Sequence, residues 1–147
     1  MSIKLNELQE DWKQDAEINQ LDLGRSSSEV PLLHAKWLER LSQSKLLLRM
    51  ATAKYLRLRR DKARYYNGEM TRDELQERGW QQYQGVKPLK SAMNEILQTD
   101  EDLIIQEDKV AYLETTVQFL ESVMKSINSR TWDIKNSIEW SKLQAGN

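Results

Sequence analysis

The sequence contains no cysteine, and it has only one histidine and one phenylalanine among its 147 residues. Without cysteine the chain has no disulfide, no zinc–thiolate site and no thiol nucleophile. Glycine (5 residues) and proline (2) are also scarce. Because the tight turns of all-β folds depend on these two residues, their shortage favours long helices.

No apolar run approaches the roughly 20 residues that a membrane-spanning helix requires, so we expect a soluble protein that is not embedded in a membrane. The first twenty residues carry several carboxylates and no apolar core of the kind found in a signal peptide. We therefore expect an intracellular protein.

Residue sets that support catalysis are also missing from the chain. There is no Ser–His–acid set, no P-loop and no GxGxxG motif. His34 stands beside Leu33 and near Trp37, on a turn expected to face the core, so we interpret it as a packed residue. The carboxylates at 100–102 and 107–108 suggest a metal site, but acids at a helix start are more simply a cap and a solvated surface. We predict a protein that is not an enzyme and has no cofactor and no metal.

Two uninterrupted helical patterns predict the fold. The first runs from about residue 29 to residue 66, with Pro31 in its first turn and Asn67-Gly68 as its C-cap. The second begins at residues 99–102 and continues towards Gly146. Short helices are predicted at 5–19, 71–79 and 90–97, and a loop is predicted at Gly24–Ser28. The predicted fold class is all-α, with two long helices plus short helices.

The second long helix carries the clearest apolar repeat in the chain. Its apolar residues alternate spacings of three and four over four repeats, which is the pattern of a coiled coil. We expect an oligomeric helical assembly through this C-terminal heptad helix, although a hairpin within one chain would bury the same residues. Of the nine positions of this repeat, Thr131 is the one that is not apolar. The other eight are the predicted oligomerisation residues: Val110, Leu113, Val117, Leu120, Met124, Ile127, Ile134 and Ile138.

A net charge of −1 conceals a basic block in the middle of the chain. Residues 36–64 hold ten basic and two acidic side chains, whereas residues 1–35 hold three and seven, and residues 65–147 hold nine and fourteen. A block of one sign within a chain of the other sign indicates a partner of opposite charge.

The basic block is densest between Lys54 and Arg64, where six of eleven residues are cationic. Tyrosines are interleaved with these cations, and Trp80 and Tyr83 follow them. Cations mixed with aromatic rings are typical of proteins that bind single-stranded nucleic acid. The chain has no zinc finger, helix-turn-helix or RNP signature, so we expect no sequence-specific recognition of nucleic acid. The predicted nucleic-acid-binding residues are Lys54, Arg57, Arg59, Arg60, Lys62, Arg64, Tyr65 and Tyr66.

Three other interpretations of the basic stretch stay open. In the first, the basic stretch binds an anionic membrane surface. In the second, it is a solvated helix face that only aids solubility. In the third, the chain is a coiled-coil scaffold or adaptor whose basic helix docks on an acidic partner or RNA. With nucleic-acid binding as the leading hypothesis, we divide the chain into an N-terminal helical DNA-binding region, 1–98, and a C-terminal oligomerisation helix, 99–147, within one structural unit.

Four segments in order resemble the UvsY family, the recombination mediators of tailed bacteriophages. They are LQEDWKQDAEI, HAKWLERLSQSK, the basic segment that closes on Arg64-Tyr65-Tyr66-Asn67-Gly68, and SRTWDIKNSIEW with the tail LQAG. The resemblance spans nearly the whole chain. It is strongest at 7–67 and 126–146 and weakest at 69–100.

The resemblance implies a homo-oligomer, a hexamer or heptamer ring assembled through the C-terminal region, that binds single-stranded DNA. It also implies loading of a RecA-like recombinase onto strands coated by single-strand-binding protein, in the host cell cytoplasm. Two DNA-contacting cations of the family, counted back from Tyr65-Tyr66, fall on Arg60 and Lys62. This sequence differs from the family in which of the two positions holds Arg and which holds Lys. It also has Arg59 and Arg64 nearby.

Overall fold

The computed structural model describes residues 4–146, and every regular element in that range is an α-helix. Two of them, with 37 and 45 residues, are much longer than the rest. This confirms the predicted all-α class with two long helices plus short helices. Across residues 4–146 no helix is long and apolar enough to span a bilayer. The helices are α1 (Leu5–Asp15), α2 (Leu23–Ser28), α3 (Val30–Tyr66), α4 (Arg72–Arg78), α5 (Met93–Gln98) and α6 (Glu101–Ala145).

Local signals set most helix ends where the sequence predicts them. Pro31 is the second residue of α3, and the glycine beyond the end of that helix, Gly68, has a φ of 72°. The hydroxyl of Thr71 accepts a hydrogen bond from the backbone N–H of Glu74 at 3.2 Å and caps α4. Gly79 ends α4 in the left-handed conformation, with a φ of 72°. Glycine adopts this conformation without the steric cost that a Cβ brings.

The loop predicted at Gly24–Ser28 is wrong, because these residues belong to α2. The carboxylate of Asp22 accepts the backbone N–H of Arg25 at 3.0 Å and provides an N-cap. The hydroxyl of the buried Ser26 accepts the backbone N–H of Asn19 at 3.2 Å. The cap and this hydrogen bond stabilise a helix that glycine and three serines would not favour alone. The first helix also ends earlier than predicted, at residue 15 rather than 19.

The helices form two compact units. Unit 1 comprises Met1–Leu46 and Leu113–Asn147, and unit 2 comprises Leu47–Tyr112. These boundaries differ from the predicted division at residue 98, which lies at the short connection between α5 and α6. As a division of function it stays a prediction.

Trp37 and Arg130 organise the core of unit 1, where both are buried. The indole N–H of Trp37 donates to the carboxylate of Asp15 at 2.9 Å, and its ring meets the Trp12 ring edge-on at 5.6 Å. The guanidinium of Arg130 donates to the backbone carbonyls of Asp15, Ala16 and Glu17 at 2.7–3.1 Å. These carbonyls lie at the end of α1, where no further helical turn supplies partners for them.

Candidate nucleic-acid interface

The basic residues from Lys54 to Arg64 lie on the part of α3 that belongs to unit 2. The structure divides them into two groups. One group points to solvent, and the other is held by partners from residues 61–102 of the same unit.

The exposed group consists of Lys54, Arg57 and Arg60, and Arg49 joins it one turn and a half before Lys54. We call these four residues the outward row. Among the described residues, Arg49, Lys54 and Arg57 form no ion pair, and Arg60 contacts Asp61 at 3.3 Å while its side chain stays 66% exposed. At 3.6 residues per turn, the three arginines fall within about a quarter-turn of one another. The outward row therefore presents four cations to solvent.

Arg49 is absent from the predicted set of binding residues. A signal for it exists in the sequence, because no acidic residue occurs between Glu39 and Asp61. The acid-free stretch therefore begins well before Lys54, and a window centred on the densest cations cuts it short.

Lys62 belongs to the second group and is buried. Its ammonium lies 3.2 Å from the carboxylate of Asp100 and 2.8 Å from that of Asp102. It also lies 4.4 Å from the centroid of the Trp80 ring, and only 9% of its side chain is exposed. A lysine in this position binds its own chain. Removing one partner of such a buried pair typically costs about 3–5 kcal/mol.

Asp100 links Lys62 to the start of α6. Its carboxylate accepts the Tyr66 hydroxyl at 2.7 Å and the backbone N–H of Leu103 at 3.0 Å, and so caps the helix. Burial by itself would raise the pKa of Asp100, but the hydrogen bonds from Tyr66, Leu103 and Lys62 outweigh it and hold that pKa below its ordinary value. Burial, followed by the hydrogen bond to Asp100, raises the pKa of Tyr66. The hydroxyl therefore stays protonated and donates.

The other two cations of the second group are partly exposed and contact the short helices of unit 2. Arg64 makes two hydrogen bonds to the carboxylate of Glu74 on α4, at 2.9 and 3.2 Å. Arg59 donates to the side-chain oxygen of Asn94 on α5 at 2.9 Å. Arg78 of α4 pairs with Asp61, whose burial requires such a partner.

Tyr65 and Tyr66 lie in an aromatic cluster with Trp80 and Tyr83. The ring centroids are 5.0–5.7 Å apart, and the rings meet edge-on or tilted. The Tyr65 hydroxyl also donates to the backbone carbonyl of Gln81 at 2.7 Å. The two tyrosines are half-buried in this cluster, so they support unit 2 instead of standing free beside the outward row.

The predicted oligomerisation residues are mostly enclosed by their own chain. Those buried within unit 1 are Val117, Leu120, Met124, Ile127 and Ile134, while Val110, Leu113 and Ile138 are half-buried. Their part in self-association stays a prediction. The opposite side of α6 leaves Trp132 64% exposed and Trp140 61% exposed, and Leu143 is exposed as well.

Comparison with known proteins identifies the family that this chain matches. The model of the UvsY family, described as recombination, repair and single-stranded-DNA-binding protein UvsY, matches residues 11–147. The recombination protein uvsY of Enterobacteria phage T4 is 29% identical over 147 residues, which cover 98% of this chain and 99% of that protein.

Solved structures agree with the fold. The crystal structure of the bacteriophage T4 recombination mediator protein UvsY in one lattice type matches with a TM-score of 0.84 at 24% identity, covering 98% of this chain and 99% of that one. A second lattice type matches with a TM-score of 0.81 at 23% identity, covering 94% and 98%. At these identities the structures establish the shared fold.

Proposed function

Because this chain belongs to the UvsY family of recombination, repair and single-stranded-DNA-binding proteins, we propose that it is a recombination mediator. It binds single-stranded DNA as a homo-oligomer and promotes loading of a RecA-like recombinase onto strands coated by single-strand-binding protein. It acts in the host cell cytoplasm and catalyses no reaction itself. The observation that carries the proposal is the outward row, four exposed cations on one rigid helix.

The outward row suits the backbone of a single strand. From Arg49 to Arg60 it extends about 17 Å along α3, since each helical residue rises 1.5 Å. Three of its four members are arginines, whose guanidinium groups make paired hydrogen bonds to phosphate oxygens. Because no base pattern has to be recognised, binding is insensitive to sequence and depends on salt.

The remaining residues of the predicted site contact other parts of unit 2 and so hold the helix that carries the outward row. Lys62, Arg59 and Arg64 bind acidic or amide partners of unit 2, and Tyr65 and Tyr66 complete its aromatic cluster. We assign direct phosphate contact to the outward row and a positioning role to these five residues. Lys62, on which the family resemblance places a DNA contact, then acts through the shape of unit 2.

Self-association uses the exposed apolar side of α6. Trp132, Trp140 and Leu143 fall within about a quarter-turn of one another, and aromatic residues of this kind are enriched at protein interfaces. The heptad residues, on the opposite side of α6, pack this helix against its own chain. A hexamer or heptamer ring assembled this way repeats the outward row once per subunit. After one subunit contacts a strand, the others bind at a high effective concentration.

A scaffold function is the second candidate, and one observation favours it. Met50 and Leu56 are exposed among the cations of α3, and large apolar side chains beside cations suit an acidic protein segment. In that case the outward row binds a protein or an RNA, and single-stranded DNA is not the principal ligand.

Fluorescence anisotropy with a labelled oligothymidylate tests the proposal. Arg57→Ala with Arg60→Ala removes two outward cations, and Lys87→Ala with Lys90→Ala is the control, because it removes two exposed lysines from another part of unit 2. The first variant should bind much more weakly and lose about 0.7 from the salt slope per lost phosphate contact. Equal affinities for the two variants would exclude the outward row as the DNA contact, and salt-independent binding would favour the scaffold.

A further inference from the structure

A groove beside Trp80 is a second surface feature of unit 2. Its volume is about 570 Å³, within the roughly 300–1,000 Å³ typical of small-molecule sites. It lies between α4 and the segment that follows this helix. The lining residues are Met70, Arg72, Leu75, Gln76, Trp80 and Gln82.

The end of α4 places Trp80 at this groove. Gly79, with a φ of 72°, turns the chain, and its N–H donates to the carbonyl of Gln76 at 3.1 Å. The N–H of Trp80 then donates to the carbonyl of Leu75 at 2.9 Å. These two bonds form a Schellman motif, which directs the residue after the glycine back against the helix.

Contacts from α3 hold the Trp80 ring. The Tyr65 ring meets it edge-on at 5.5 Å, and the Lys62 ammonium lies 4.4 Å from its centroid. Neither Tyr65 nor Lys62 lines the groove. The indole is therefore fixed before any ligand arrives, and a fixed ring loses little conformational entropy when a second ring stacks on it.

The lining of the groove is selective in charge. The segment 69–77 contains four carboxylates, at positions 69, 73, 74 and 77. None of them lines the groove, whereas Arg72 does. Among the described residues Arg72 forms no ion pair, whereas Glu74 turns away to bind Arg64. The groove thus offers one exposed guanidinium, two amides, one indole and two apolar side chains.

We propose that this groove binds a nucleobase of single-stranded DNA, which stacks on Trp80. Gln76 and Gln82 supply amide donors and acceptors for the base edge, and Arg72 binds a neighbouring phosphate. This inference rests on the proposed function and adds a base-binding position to it. An apolar peptide side chain would use Met70, Leu75 and the indole but would leave the amides and the guanidinium without partners.

The test compares two strands of equal length and phosphate number, an oligothymidylate and its abasic counterpart, at one salt concentration. Loss of a stacked base is worth about 1–3 kcal/mol, so Trp80→Leu should weaken binding of the oligothymidylate about 5- to 150-fold. Binding of the abasic strand depends on the backbone cations and should change by less than about twofold. Trp80→Phe keeps a ring and should retain most of the affinity.

Two neighbouring glutamines give a matched control. Gln82 lines the groove, whereas the exposed Gln81 does not. Gln82→Ala should weaken binding of the oligothymidylate about two- to tenfold, and Gln81→Ala should leave it unchanged. If Trp80→Leu loses helical circular dichroism, the glutamine pair and Trp80→Phe decide the question.

A strand that carries 5-iodouracil, irradiated in the complex, should crosslink to the peptide that contains Trp80. A crosslink that maps elsewhere would leave the groove to a peptide partner and overturn the assignment. An equal loss of affinity for both strands in Trp80→Leu would overturn it too, while the proposed function stands. If the unmodified protein binds neither strand, the proposed function itself fails.

Discussion

The ammonium of Lys62 lies 3.2 Å from the carboxylate of Asp100, and both side chains are buried in unit 2. Asp100 caps α6 and accepts the Tyr66 hydroxyl, while Lys62 also contacts Asp102 and the Trp80 ring. One ion pair thus joins the end of α3 to the start of α6 and to the segment that holds Trp80.

Lys62→Met is expected to destabilise unit 2 by about 3–5 kcal/mol, because it leaves the Asp100 carboxylate buried without its cation. Urea denaturation followed by circular dichroism measures this loss. The control is Lys54→Met, which removes an exposed lysine with no ion pair among the described residues and should change stability by less than about 0.5 kcal/mol. Equal stability of the two variants would show that the buried pair contributes nothing.

The lowered pKa of Asp100 makes unit 2 sensitive to acid. The folded state favours the ionised carboxylate, so its contribution to stability is complete above the ordinary pKa of 3.8. That contribution is lost as the pH falls through the lower pKa of the folded state. Asp100→Asn should therefore flatten the acid limb of the stability curve between about pH 5 and pH 2. Denaturation midpoints collected across this range provide the measurement, and an unchanged acid limb would contradict the assignment.

The raised pKa of Tyr66 produces the opposite dependence at high pH. The folded state favours the protonated hydroxyl, so its contribution is complete below the ordinary pKa of 10.0. It is lost as the pH rises through the higher pKa of the folded state. Tyr66→Phe should flatten the alkaline limb, and the absorbance of tyrosinate should show one fewer late-titrating residue than in the unmodified protein.

Gly79→Ala should destabilise α4 by about 1–2 kcal/mol, because a Cβ is strained at a φ of 72° even though no atom of residues 4–146 lies within 4 Å of its position. Gly24→Ala is the matched control. A Cβ at Gly24 also meets no atom of the described residues within 4 Å, but Gly24 lies inside helix α2, where alanine should stabilise by about 0.5–1 kcal/mol. Opposite signs in thermal denaturation are the expected result, and two stabilising changes would contradict the left-handed conformation at residue 79.

Trp132→Glu with Trp140→Glu should give monomers whose helical circular dichroism is unchanged, since both side chains are exposed within their own chain. Leu120→Asp should instead unfold unit 1, because it places a carboxylate in a fully buried position. Light scattering and circular dichroism separate the two effects. A tryptophan variant that keeps the mass of the unmodified protein would exclude this side of α6 from self-association.

Signals that act over a few residues could be interpreted from the sequence alone. The scarcity of glycine and proline, the Thr71 cap and the glycines at 68 and 79 predicted the helical class and most helix ends, because each depends on its near neighbours. The loop predicted at Gly24–Ser28 failed for a related reason. Its helix depends on the Asp22 cap and on a hydrogen bond between Ser26 and Asn19, seven residues apart.

Only the tertiary structure decided which cations face solvent and what the heptad residues bury against. Lys54 and Lys62 are the same residue type eight positions apart on one helix. Among the residues that the structure describes, carboxylates contact only Lys62 of these two, and they lie about forty residues further along the chain. The heptad spacing likewise identifies a buried side of α6 without naming its partner, since the same apolar surface is satisfied by another subunit or by its own chain. The sequence determined the helices and the basic block, whereas contacts between distant residues determined that the outward row faces solvent and that Lys62 is buried.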